Sequence, residues 1–279
     1  MKKIIALVLI VCLTLSFSAC SNNAEPAASQ DSSSAADSSQ DVKEAEAAVN
    51  ETLLIAAAAS LKNCFGDELI PLFEEKYPNI KVDATYDSSG KLQTQIEEGA
   101  DVDVFMSAAM KQMNALDEKE LMVKDSIIKL LENKIVLIVP KDNDKGIAVF
   151  EDIIKADTVA VGDPESVPAG QYAKEAFENL GLWDEVSAKS SLGTNVTEVL
   201  NWVSEGSADA GVVYSTDAAS KENVIVVAEA PEGSVSPVIY PVGIVKSSTK
   251  QDAAKLFVEF LKSEEALIVF EKYGFTSLK

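Results

Sequence analysis

The chain has 279 residues, with 45 acidic against 24 basic side chains and a formal net charge of −21. Every basic residue is a lysine and there is no histidine, which excludes Ser-His-Asp and Cys-His nucleophiles, His-containing zinc or haem sites, and bidentate arginine recognition of anions. So acidic a chain excludes nucleic acid as a partner, while a small anion can still be held by local backbone dipoles.

Met1-Lys2-Lys3 and the apolar run from Ile4 to Ser16 read as a secretory signal, with a charged start and an apolar core too short to span a bilayer comfortably. The signal, residues 1–19, ends Leu15-Ser16-Phe17-Ser18-Ala19 before Cys20. Small residues ahead of a cysteine resemble the lipobox of bacterial lipoproteins, with Phe17 where leucine is usual, so Cys20 is the expected lipidation site. Residues 20–50 hold almost no large apolar side chain and are expected to form a tether after the lipidated cysteine. An anchor, a tether and a globular part describe an extracytoplasmic protein held at the cell membrane. Besides Cys20, the mature chain has only Cys64, so no intramolecular disulfide is expected in the globular part, and Cys64 reads as a buried thiol on a helix.

From Glu51 to Lys279 about 230 residues remain, comfortable for two lobes. Strand-like apolar runs recur at Thr52–Ala58, Ile80–Tyr86, Val102–Met106, Lys134–Val139, Thr158–Val161, Ala210–Tyr214, Val224–Val227 and Val238–Val245. Amphipathic helical patterns lie between them, such as Leu92/Ile96, Val199/Leu200/Val203 and Leu256/Phe257/Phe260/Leu261. This alternation predicts an α/β fold with mainly parallel sheets, in which ligands sit beyond the carboxyl ends of strands where helices begin.

Four such junctions stand out. Ala56 to Ser60 runs a strand into small residues, with Ser60 at a helix start. Asp87-Ser88-Ser89-Gly90 opens a helix that Gly99 stops. In Val161-Gly162-Asp163-Pro164-Glu165-Ser166-Val167-Pro168-Ala169-Gly170, a strand end leads through a turn to a helix begun by Pro168 or Ala169. Proline suits that first turn, the next amides lack helical partners, and Gly170 leaves them open. Gly193-Thr194-Asn195-Val196 opens a fourth helix, ended by Gly206. Each alone is an ordinary N-cap; together they form a set of small, donor-rich helix starts, two early in the chain and two late. A fifth element, Ala208 to Ala218, carries a buried strand that delivers Tyr214 at its carboxyl end.

Taken together, these segments resemble the periplasmic-type molybdate-binding proteins of bacterial ABC importers over essentially all of residues 51–279. The matching stretches are Ala57-Ala58-Ala59-Ser60-Leu61, Ser88-Ser89-Gly90-Lys91-Leu92, Gly162-Asp163-Pro164 with Val167-Pro168-Ala169-Gly170 and Tyr172-Ala173, Asn195-Val196, Gly211–Tyr214 with Thr216-Asp217-Ala218, and Tyr273-Gly274-Phe275. The resemblance implies a two-lobed, type II periplasmic-binding-protein fold, with a sheet and flanking helices in each lobe and the ligand between them. Crossovers are expected near Lys134–Val136 and Pro241–Val242, giving lobe 1 as residues 51–134 plus 243–279 and lobe 2 as 135–242. It also implies oxyanion contacts from Ser60 and Ser89 through hydroxyl and amide, Ala169 and Val196 through amides, and Tyr214 through its hydroxyl, with Ser88 in place of Ser89 if the turn shifts by one residue. Ser107-Ala108-Ala109 departs from the family's Ser-Ala-Asp.

Molybdate carries no proton near neutral pH and needs donors only, which is what hydroxyls and helix-start amides are, each helix start adding about half a positive charge. Molybdenum would then be bound only as the oxyanion, molybdate or tungstate, with no cofactor and no catalysis. A monomer working with a membrane ABC permease is expected. The alternatives are a receptor for another tetrahedral oxyanion such as sulfate, or a secreted serine hydrolase using a lysine base. Lys91, the nearest lysine in sequence, reads as a solvated helix-surface residue.

Overall fold

The computed structural model describes residues 51–278 apart from Asp144. The expected signal peptide, the lipidated Cys20 and the tether lie outside the described residues.

The first sheet is built from β1 (Glu51–Ala58), β2 (Ile80–Asp87), β3 (Val104–Met106), β4 (Ile128–Asn133), β10 (Val238–Ile244) and β11 (Thr276–Ser277), in the order β11-β4-β10-β3-β1-β2. The second contains β5 (Ile135–Pro140), β6 (Val159–Gly162), β7 (Ser190–Gly193), β8 (Ala210–Tyr214) and β9 (Val224–Glu229), in the order β7-β6-β8-β5-β9. β1 is parallel to β2 and β3, and β6 is parallel to β7 and β8. The remaining pairings are antiparallel, so both sheets are mixed rather than mainly parallel. The cause is connectivity. β4 runs the same way as β1 to β3 and passes through Lys134 straight into β5, which must then run outward in the second sheet. β10 repeats this on the return journey.

The chain passes from the first sheet to the second at Lys134, between β4 and β5. It does not return at Pro241–Val242: β10 pairs with β3 and β4 over its whole length, so those residues lie inside the first sheet and the chain crosses back within residues 230–237. A proline in a strand reads as a break because it cannot donate to the ladder. Here the register shifts between Tyr240 and Pro241, and that irregularity accommodates the missing N–H.

After β1 the chain makes a 3-10 turn, Ala59–Leu61, then α1 (Lys62–Cys64), a π-helical stretch Phe65–Leu69, and α2 (Ile70–Lys76). Pro71 has no N–H to return to the carbonyl of Asp67, which accounts for the wider winding ahead of it. The rest of the first lobe carries α3 (Ser89–Glu97), α4 (Met110–Glu118), α9 (Gln251–Leu261) and α10 (Glu264–Lys272). The second lobe carries α5 (Pro168–Asn179), α6 (Trp183–Ala188), α7 (Val196–Ser204) and α8 (Ser215–Ala219). Gly99, Gly181 and Gly206 end α3, α5 and α7 at φ +89°, +71° and +73°.

α2 and α9 close one face of the first sheet through Phe73, which meets Phe257 edge-on at 4.9 Å and Phe260 at 5.5 Å. Burying each such ring stabilises by about 2–3 kcal/mol. Cys64 lies in this core as expected. Its thiol donates to the carbonyl of Leu61 at 3.2 Å, and burial pushes its pKa up, so it is held as an unreactive thiol.

Candidate functional site

The strand ends of both sheets face a small cavity, about 10 Å³ measured to the centre of a water-sized sphere, so only a compact ligand fits. The first lobe lines it with Ala58 to Ser60 at the end of β1, Asp87 to Ser89 where β2 passes into α3, and Ala108 beyond β3. The second lobe lines it with Val167 to Ala169 at the start of α5, Val196 at the start of α7, and Tyr214 at the end of β8. Ser60, Ser89, Ala169, Val196 and Tyr214, which are scattered over 155 positions of sequence from 60 to 214, thus meet around one space.

Each position follows from local structure. Ser60 sits in the 3-10 turn that ends β1, its Oγ sharing a hydrogen bond with Tyr240 Oη at 2.9 Å. Ser88 is the extended N-cap of α3, and its Oγ is buried without a partner. Ser89 is the first residue of α3, and its Oγ accepts the amide of Ala108 at 3.0 Å, leaving its own proton to give. Pro168 starts α5, so Ala169 stands in a first turn whose amides have no partner inside the helix. The next amides there are already placed, Gln171 N–H donating to the carbonyl of Val167 at 3.0 Å. In α7 the N-cap Asn195 takes the amide of Glu198 at 3.0 Å through Oδ1, which leaves the Val196 amide at the helix mouth.

Tyr214 is buried, packs edge-on against Tyr240 at a centroid distance of 5.5 Å, and donates weakly to the carbonyl of Ala108 at 3.4 Å. Burial, with neighbouring Tyr240 adding to it, holds its pKa well above the ordinary tyrosine value. The phenol therefore stays protonated and remains a donor.

Two residues play parts that the sequence did not suggest. Asp87 is the one carboxylate among the lining residues, and its Oδ1 accepts the Ser88 amide at 2.7 Å and the Lys91 ammonium at 3.2 Å. Lys91 itself is part-exposed and does not line the cavity, in keeping with a helix-surface role. Gly170 is small for a different reason from the one expected. A Cβ there would stand 1.9 Å from the carbonyl oxygen of Gly162, so its lack of a side chain lets α5 press against β6 rather than clearing the amides.

Behind the cavity, the first crossing is tied by Asn133. Its Nδ2 donates to Thr216 Oγ1 at 2.9 Å and to Tyr240 Oη at 3.3 Å, while its Oδ1 accepts from Ser215 Oγ at 3.0 Å. Asp217 lies beside this knot in α8, buried, with Oδ2 unpartnered, and burial pushes its pKa up to about 7.

Residues 53–276 match the family of bacterial extracellular solute-binding proteins. The chain belongs to that family. Among relatives, this solute-binding protein is 44% identical to YvgL of Bacillus subtilis (strain 168), assigned as an ABC transporter substrate-binding lipoprotein, over 81% of this chain and 86% of that one. It is 39% identical to the molybdate-binding protein ModA of Haemophilus influenzae, over 82% of this chain and 92% of ModA. Among solved structures, it is similar to the substrate-binding domain assigned to a molybdenum ABC transporter of Clostridium difficile, with 41% identity, a TM-score of 0.64, and coverage of 82% of this chain and all (100%) of that one.

The two lobes of this solute-binding protein also touch across the cleft. Gly90 N–H donates to the carbonyl of Ser166 at 2.9 Å, Gln112 Nε2 to Gln171 Oε1 at 3.1 Å, and Tyr214 Oη to the carbonyl of Ala108.

Proposed function

We propose that this solute-binding protein captures molybdate, and tungstate with it, by closing its two lobes on the oxyanion, and hands it to an ABC permease. The observation that carries this reading is the make-up of the cavity. Hydroxyls of Ser60, Ser88, Ser89 and Tyr214 and helix-start amides at Ser89, Ala169 and Val196 surround a compact space. All of these groups can donate, and molybdate is a proton-free dianion that asks only for donors. The lone carboxylate, Asp87, is already engaged by the Ser88 amide and Lys91, which disfavours a protonated phosphate that would need a free acceptor. Three helix starts supply positive potential without a formal cation. The names of ModA and of the Clostridium difficile transporter domain support the choice of ligand.

Ser88 joins the proposed ligand set beside Ser89, rather than replacing it, because its buried Oγ has no other partner. A rigid donor cage separates molybdate from the smaller sulfate, since hydrogen bonds weaken steeply with stretch. Tungstate is nearly the same size and charge, and nothing in the donor set sets it apart. Lobe 1 then comprises the first sheet with its helices, and lobe 2 the residues between the two crossings. Cys20 is the proposed lipid anchor, holding a monomer at the outer face of the membrane within reach of its permease.

Covalent serine chemistry finds no base here. Ser60 Oγ faces Tyr240, Ser89 Oγ faces the Ala108 amide, and Lys91, though spaced Ser-x-x-Lys from Ser88, is paired with Asp87. The protein is proposed as a binder and not an enzyme. The test is titration of ligand-free protein with molybdate, tungstate, sulfate and phosphate, followed by thermal unfolding. Molybdate and tungstate should raise the unfolding temperature, by about 2.7 kcal/mol of stability at a hundredfold excess over Kd. Stabilisation by sulfate with none by molybdate would overturn the choice of ligand.

A further inference from the structure

We propose that Gly90 is the positioning residue that lets the lobes close on the ligand, an inference that rests on the hinge-closure reading above. Gly90 is the second residue of α3 and is not one of the glycines with positive φ, so its own backbone conformation gives no reason for glycine. Inside a helix glycine is less stable than alanine. The reason lies across the cleft. Its N–H donates to the carbonyl of Ser166 in the other lobe at 2.9 Å. A Cβ on Gly90 would stand 2.4 Å from that oxygen, 2.8 Å from Ser166 Cα and 2.9 Å from its carbonyl carbon.

Those atoms are backbone, and the loop that carries them cannot retreat cheaply. The Ser166 and Val167 amides donate to the carbonyl of Asp163 at 3.1 and 2.8 Å, and the Glu165 amide to Asp163 Oδ1 at 3.0 Å. Gly162 fits against the Val167 side chain so tightly that a Cβ there would be 2.5 Å from Val167 Cγ1. A side chain at position 90 therefore pushes the lobes apart instead of displacing the loop. The contact lies one residue from Ser89 and three from Ala169, so it sets how near the donors of one lobe come to those of the other. The first turn of α3 thus divides its work: Ser88 and Ser89 face the cavity, and the Gly90 amide seals the lobes.

The test compares Gly90→Ala and Gly90→Ser with Gly66→Ala, a control in the same lobe whose added Cβ meets nothing within 4 Å. Ligand-free unfolding temperatures should be equal to or above wild type in the alanine variants. Molybdate affinity should fall at least tenfold in both Gly90 variants and stay unchanged in Gly66→Ala. Small-angle scattering should show that the contraction of the wild type on saturation is lost or reduced at Gly90. Wild-type affinity and full contraction in Gly90→Ala would overturn the proposal. Should the wild type respond to sulfate and not molybdate, the ligand reading falls and the same comparison is made with sulfate. A wild type that responds to no anion overturns both.

Discussion

The two walls of the cleft offer the same chemistry by different means. The first lobe presents side chains: the hydroxyls of Ser60, Ser88 and Ser89 stand at the ends of β1 and β2. The second presents backbone: in the proposed site Ala169 and Val196 act through amides at the mouths of α5 and α7, and only Tyr214 brings a side chain. A hydroxyl wall is specified by residue type at a few positions. An amide wall is specified by where the helices begin and how tightly they dock, which is why that lobe needs Gly162 and Gly170 packed backbone to backbone. One wall should therefore be sensitive to side-chain substitution at the contact and the other largely indifferent to it.

The sharpest break comes from the hydroxyl wall. Replacing Ser60 and Ser89 together by alanine removes two donors to a charged ligand, each worth about 1.5–3 kcal/mol. Molybdate affinity by calorimetry should fall by more than about a hundredfold, with the fold retained by circular dichroism. A loss below tenfold would remove these hydroxyls from the site.

A middle-sized effect comes from Asp217, which belongs to neither wall and sits at the crossing between them. Its pKa is about 7 in the folded protein against 3.8 for an ordinary aspartate. Below about pH 4 the group is protonated in both folded and unfolded chains and costs nothing. Between pH 4 and 7 the unfolded chain releases a proton that the folded chain keeps, so stability falls as pH rises, and the full penalty applies above 7. Its size is on the order of 4 kcal/mol. Asp217→Asn should raise the unfolding temperature at pH 8 and leave it unchanged at pH 4. An equal response at both values would show that the carboxyl is not strained by burial.

The smallest effect tests the amide wall directly. Val196→Ala keeps the backbone amide while trimming a buried side chain. Stability should drop by about 1 kcal/mol, and molybdate affinity should stay within about twofold of wild type. A tenfold loss would mean that the second lobe also works through its side chains.

Much of this was legible along the chain, because helix starts and buried strands announce themselves locally. Strands such as Ala210–Tyr214 fell where their apolar runs placed them. β4 escaped notice because Leu130-Leu131-Glu132 breaks the alternation of a half-buried strand, and β7 because Ser190-Ser191-Leu192-Gly193 is a polar edge with one apolar side chain. The crossing expected at Pro241–Val242 lies earlier in the chain, since the sheet a strand joins is set by its partners and not by its own residues. Asp87 was passed over because its place at the cavity rim depends on the turn into α3.

The sequence by itself determined the kind of site. Without arginine or histidine, and with Lys91 read as a helix-surface residue, the proposed anion is left to hydroxyls, amides and helix dipoles, and Pro168, Ser89 and Asn195 mark where those helices begin. Only the tertiary structure decided that the donors converge on one cavity, and why positions 90 and 170 are glycine. A helix start is written in neighbouring residues. The penalty for a Cβ is set by a carbonyl oxygen that arrives from elsewhere in the chain, from Gly162 in one case and from Ser166 of the opposite lobe in the other.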